Sequence, residues 1–207
     1  NANGTPTTPS AKGGGMLNVG GSPTLTNVTF RGNSASQVGG GMANIINVST
    51  PSRPVLTNVI FSGNTADSGG GMQNDYSNPI LFNVVFSGNR ATFGGAIYNA
   101  GNPPSDTPTA LTNVTFSGNS ASTQGGAVFN VNSSVAIRNS ILWGDSAPSN
   151  SEIFTDKSSP NSKTRVSYSI VQGSGGSGSS WWDQDAPGQP GTVDVGNNLD
   201  VEPMFIA

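Results

Sequence analysis

The sequence has 207 residues, long enough for a real core, yet only 9% of it is charged, and it holds 29 Gly, no Cys and no His, which removes disulfide frameworks, thiolate metal sites and the commonest general base. The net charge of −3 comes without any cluster of Lys and Arg, so nothing resembles a nucleic-acid footprint, and no apolar run approaches the roughly 18 residues of a membrane span. Gly, Ser, Thr and Asn at this density would suit a disordered chain, but Leu, Val, Phe and Met recur at fixed intervals, and the expectation is therefore an ordered, turn-rich all-β protein.

In chain order, residues 1–12, "NANGTPTTPSAK", are Pro- and Thr-rich and are expected to be too polar for a substantial amino-terminal cap. The chain begins at Asn1 with neither Met nor signal peptide, as a processed form or an excised segment would. From Gly13 a unit repeats: "GGGMLN", "GGGMAN", "GGGMQN", "GGAIYN" and "GGAVFN", closing on Asn18, Asn44, Asn74, Asn99 and Asn130, which are 26, 30, 25 and 31 residues apart. That period belongs to stacked solenoids, in which each unit buries its apolar side chains only against the units above and below.

The second half of each unit places Leu25, Leu56, Leu81, Leu111 and Ile137 at one position and Phe30, Phe61, Phe86, Phe116 and Leu142 at another. Val28 and Phe30 lie two apart and share a strand face, whereas Leu25 lies three before Val28 and on a straight strand would point the other way. Asn27 sits at this break, as do Asn58, Asn83, Asn113 and Asn139, and Asn is the non-Gly residue best suited to a left-handed backbone. A second corner reads Gly-Asn at Asn33, Asn64, Asn89 and Asn119, and Gly144-Asp145 in the fifth unit. Both asparagine columns are expected to hydrogen-bond along the stack. The fold predicted is a right-handed parallel β-helix with Asn-rich corners, with five coils over residues 13–145 and terminal coils with an acidic cap region over 146–207 of the same domain.

Alternate coils carry about five extra residues, in Ile46 to Pro54 and Ala100 to Pro108; tolerated surface loops are the default reading, and a binding side is the other. Of the sequons, Asn27 and Asn113 fall in the corner column, while Asn47, in a long outer loop, is the site a glycan would use. The carboxylates Asp67, Asp75 and Asp106 and the five arginines occupy non-equivalent positions, so no catalytic cluster is expected. No cofactor is expected either; Asp183 and Asp185, in the acidic terminal region, are the residues that a Ca²⁺ ion would use. Trp181 and Trp182 follow "GSGGSGSS" and are expected to cover the end or side of the coil, with self-association and ligand binding as the other roles of such an apolar pair.

The GGAI element at Gly94 to Ile97 and the Phe-x-x-Asn sets Phe30 to Asn33, Phe61 to Asn64, Phe86 to Asn89 and Phe116 to Asn119 resemble the repeats of chlamydial-type polymorphic outer membrane proteins and related right-handed β-helix surface proteins. The later "NSILWGD", "VSYSIVQG" and "NNLDVEPMF" look like the terminal coils of bacterial secreted β-helix proteins of the choice-of-anchor class. The resemblance implies an exported bacterial protein, extracellular or at the cell surface, with a structural or adhesive role. The expected partners are host or cell-surface glycans or proteins, or further copies of the chain stacked head to tail into a filament. The alternative is a carbohydrate-binding or polysaccharide-cleaving β-helix.

Overall fold

The protein is described by a computed structural model over residues 10–46, 52–101, 107–183 and 191–204. The chain winds into a parallel β-solenoid with no helix among the described residues. Its first sheet stacks Met16–Val19, Met42–Ile45, Met72–Asp75, Ile97–Ala100, Val128–Val131 and Ile153–Thr155, with the closing asparagines in one file that runs from Asn18 through Asn130 and ends on Thr155. The second sheet has 11 strands and carries the Leu and Phe positions. A third side is made of shorter pairings, such as Ser10–Lys12 with Ala35–Val38 and Arg90–Phe93 with Ser120–Gln124.

The core is built by the register. Phe30, Phe61, Phe86 and Phe116 stack one per coil, with ring centroids 4.8, 4.8 and 5.2 Å apart and planes within 8° of parallel. Leu142 continues the file beneath Phe116, and all five side chains are buried. Centroid spacing matches the rise from one β-strand to the next, so each ring stacks on its neighbour in the coil below. The Leu file lies beside it, buried from Leu56 onward.

The parity break is real and local. Asn27, Asn58, Asn83, Asn113 and Asn139 all adopt φ between 51° and 57°. One difference from the expectation of short strands separated by corners is that Ile80–Ser87 and Thr109–Ser117 run unbroken through Asn83 and Asn113. A single left-handed residue reverses which face the side chains use, while Phe82↔Thr112 and Val84↔Val114 keep the backbones paired on either side of it. The same column continues past the fifth unit, with Tyr168 at φ 52° and Asn197 at φ 59°. "NSILW", "YSIVQ" and "NNLDV" are therefore consecutive coils, with Ile141 paired to Ile170 and Ile170 to Leu199.

The Gly-rich stretch brings coils too close together for side chains. Gly94 has φ +62°, and a Cβ on Gly95 would lie 2.3 Å from the carbonyl oxygen of Gly126 in the next coil. Gly95 needs glycine for space alone, whereas at Gly94 the left-handed backbone adds to a Cβ contact of 2.3 Å with the Ile97 carbonyl oxygen.

Candidate functional site

Three asparagine ladders run along the axis. In the interior corner, Asn33, Asn64 and Asn89 each donate Nδ2 to the Oδ1 of the next asparagine, at 2.9, 2.9 and 2.8 Å, and Asn119 donates to Asp145 Oδ1 at 2.7 Å. The backbone N–H of each donates to the same oxygen, which fixes the orientation of every amide. A second bond from Nδ2 runs from Asn64 to Phe30 O, from Asn89 to Phe61 O and from Asn119 to Phe86 O, so these three buried amides use both donors. The outer column runs the other way: Asn58 donates to Asn27 at 3.1 Å, Asn83 to Asn58 at 2.7 Å, and Asn139 to Asn113.

Sequence reasoning aligned the closing asparagines but missed that they form a ladder of their own. Asn18 donates to Asn44 at 3.0 Å, Asn44 to Asn74 at 2.8 Å, and Asn74 to Asn99 at 2.8 Å. There it stops. Asn99 Nδ2 and Asn130 Oδ1, one coil apart, are both buried and without partners. Asn130 turns its amide to Ser133 O and Thr164 Oγ1 instead. The alternating Asn/Met and Asn/Ile pattern of these strands was the available signal: an asparagine two residues after an inward Met must also point inward.

The corner ladder ends on a pair of buried carboxyls, Asp145 and Glu152, at 6% and 3% exposure. The Asp145 N–H lies 3.4 Å from Glu152 Oε1, which takes the place of the next rung's amide oxygen, while Asp145 Oδ2 and Glu152 Oε2 have no other partner. Burial, and then the neighbouring Asp145, push the Glu152 carboxyl up to about 10. Burial also lifts Asp145, to about 6, against the hydrogen bonds that it accepts. Burial thus favours the protonated form of both carboxyls, and two carboxyls in this position titrate as a pair that holds a proton between them.

The acidic terminal residues hold the last coils together. Asp200 accepts the backbone N–H groups of Gly173 and Gly175 at 3.0 and 2.8 Å, and Asp194 accepts from Gly178, Gly196, Ser177 and Asn198. Burial works against the Asp194 charge, but those bonds outweigh it and hold its carboxyl below the usual range. These carboxylates order the glycine-rich turn from Gly173 to Ser179. Asp183 pairs with Lys157 and accepts the Thr192 N–H at 2.9 Å. Among the described residues no three acidic or His side chains gather as a metal site. Asp185 and Asp106, and Asn47 with most of both long loops, lie outside the described residues.

Trp181 and Trp182 meet edge to face at 4.6 Å and 84°, both half-buried and packed against the core. The Trp182 indole N–H donates to Gly176 O at 2.8 Å, so the pair covers one side of the terminal coils. Beside it lies a groove of about 470 Å³ lined by Asn150, Phe154, Asp156, Lys157, Trp181 and Asp183, among others. Into it leads an outward stack, Tyr98 on Phe129 at 4.9 Å and Phe129 on Phe154 at 4.6 Å, which sequence analysis did not single out. The Tyr98 hydroxyl titrates above its ordinary value, chiefly through burial and then through Asp75 and Asp156.

Two stretches of the chain, residues 83–100 and 113–131, match the Chlamydia polymorphic membrane protein (Chlamydia_PMP) repeat. Each runs from an outer-column asparagine through a Phe-x-x-Asn corner and the Gly-rich stretch into the first sheet. No curated protein and no solved structure gives a significant match. The repeat and the solenoid together point to a surface-exposed β-helix protein.

Proposed function

We propose that the chain is a stiff, surface-displayed rod with a structural and adhesive role, at the outer membrane or cell surface. The observation that supports this reading most is the continuity of the ladders. Backbone pairing, the Phe file and the corner asparagine ladder repeat from coil to coil, and a shape held by such axial bonds resists bending without a large globular core. The matched repeat supports the location. Beads coated with the folded chain should retain cells that beads coated with heat-unfolded chain do not, and soluble chain should compete; equal retention by both coatings contradicts adhesion. Antibody labelling of intact producing cells tests the location separately.

A second reading, head-to-tail assembly, is favoured by the strands Met16–Val19 and Ile153–Thr155, each of which, among the described residues, pairs on one side only within the first sheet. Light scattering over a wide concentration range decides it. A mass that stays at one chain removes the filament.

A further inference from the structure

The outward-facing position after the inward Met, Ile or Val of the first sheet reads Leu17, Ala43, Gln73, Tyr98, Phe129 and Phe154 from coil to coil. Only the last three are aromatic, and they stack with interplanar angles of 5° and 25°. Stacking covers both faces of Phe129, and Phe93 closes against its edge at 5.4 Å. Phe154 differs because it stands on the terminal strand of that sheet: Phe129 covers one of its faces, and among the described residues no ring stacks on the other. The groove lies at this end of the stack, with Trp181 among its walls. Trp181 is braced from behind by Trp182, itself tied to Gly176.

The polar lining is placed as firmly. Ser158 donates its backbone N–H to one oxygen of Asp156 and its hydroxyl to the other, both at 2.9 Å, so the carboxylate plane is fixed while each oxygen keeps a free lone pair. Lys157 and Asp183 form an ion pair at the rim, and Asn150 adds an amide. The cavity falls in the range of small-molecule sites, about 300–1,000 Å³. A wholly apolar ligand would strip water from Asp156 without replacing it, which is costly. A polyanion would meet two carboxylates against one ammonium, within a chain of net charge −3. The ligand that satisfies both walls has an apolar C–H face and a neutral ring of vicinal hydroxyl donors.

We propose that this groove binds a neutral hexopyranose unit of a glycan, its C–H face against the open face of Phe154 or against Trp181 and its hydroxyls donating to Asp156. The site deepens the adhesive reading by naming a ligand class, and it rests on that reading only for its use at a surface. Binding to the purified chain is measured by NMR and Trp fluorescence with neutral oligosaccharides of glucose, galactose, mannose and N-acetylglucosamine, and with polygalacturonate. At least one neutral sugar should shift the Trp181 indole resonance and leave that of Trp143 unmoved. Trp181→Ala and Asp156→Asn should each weaken that binding tenfold or more, with the Asp156→Asn protein melting within a few degrees of the parent. No response to any neutral sugar at about 10 mM, tenfold above a millimolar Kd, overturns the site. So does binding that Asp156→Asn leaves intact, or a preference for the polyanion. Cell retention by beads coated with the parent chain separates the two ideas: retention by a chain that binds no neutral sugar removes the groove and spares the adhesive rod, while sugar binding by a chain that retains no cells does the reverse.

Discussion

Asn74 occupies the middle of a buried relay, accepting from Asn44 and donating to Asn99. Removing its side chain orphans one donor, Asn44 Nδ2, and one acceptor, Asn99 Oδ1. Each buried orphan costs about 1–3 kcal/mol, so Asn74→Ala should lose about 2–6 kcal/mol. Asn99→Ala orphans only Asn74 Nδ2, and it also deletes an amide donor that is already without a partner. Its loss should be about 1–3 kcal/mol or less. Chemical denaturation of the two variants measures the difference, and equal losses contradict the interruption of the ladder between Asn99 and Asn130. Nothing in the sequence distinguishes these two residues, since both close the same repeated motif. The distinction arises from where Asn130 turns its amide, and that depends on Thr164, a coil away.

At the scale of the element, the corner ladder is a one-way column of amides whose last acceptor is a carboxylate. Every other rung can donate onward through Nδ2; Asp145 cannot, and the proton held by the Asp145–Glu152 pair supplies what is missing. The folded pKa of Glu152 stands above its ordinary 4.5, and that of Asp145 above 3.8, so their contribution is complete below those values and is lost as pH rises through about 6 and on towards about 10. Asp194 acts in the opposite sense, its contribution falling away below pH 3.8. Thermal stability should therefore be highest in mild acid, near pH 4, and decline through the neutral range. Asp145→Asn restores the onward donor and removes the like charge beside Glu152. It should raise Tm at pH 8 by several degrees, at roughly 2–4 °C per kcal/mol for a chain of this size, and flatten the decline. A lower Tm at pH 8, or an unchanged slope, contradicts the shared proton. The departure Leu142-Trp-Gly-Asp145 was visible in the sequence as a broken motif. Its partner was not, because Glu152 lies outside every repeated position.

At the scale of the whole molecule, what was legible was whatever repeated. The Phe file, both expected asparagine columns and the left-handed corner followed from spacing and side-chain parity, because a solenoid imposes the same environment at each equivalent residue. The extension of that column to Tyr168 and Asn197 was also available in "YSIVQ" and "NNLDV", but a tyrosine in an asparagine position hides the match. The groove was not legible: Phe154, Asp156 and Trp181 lie in stretches without internal copies, and they meet only because the first sheet ends there. The chain contains no Cys, so pairs of cysteines can carry spin labels without background. Thr26, Thr57, Phe82, Thr112, Arg138 and Ser167 stand in one file, one per coil. Labels at Thr26 and Arg138, and at Thr26 and Ser167, should be separated by about 19 and 24 Å, growing by about 4.8 Å for each coil crossed. Distances measured by double electron–electron resonance that fail to grow in that proportion would contradict the stacked register.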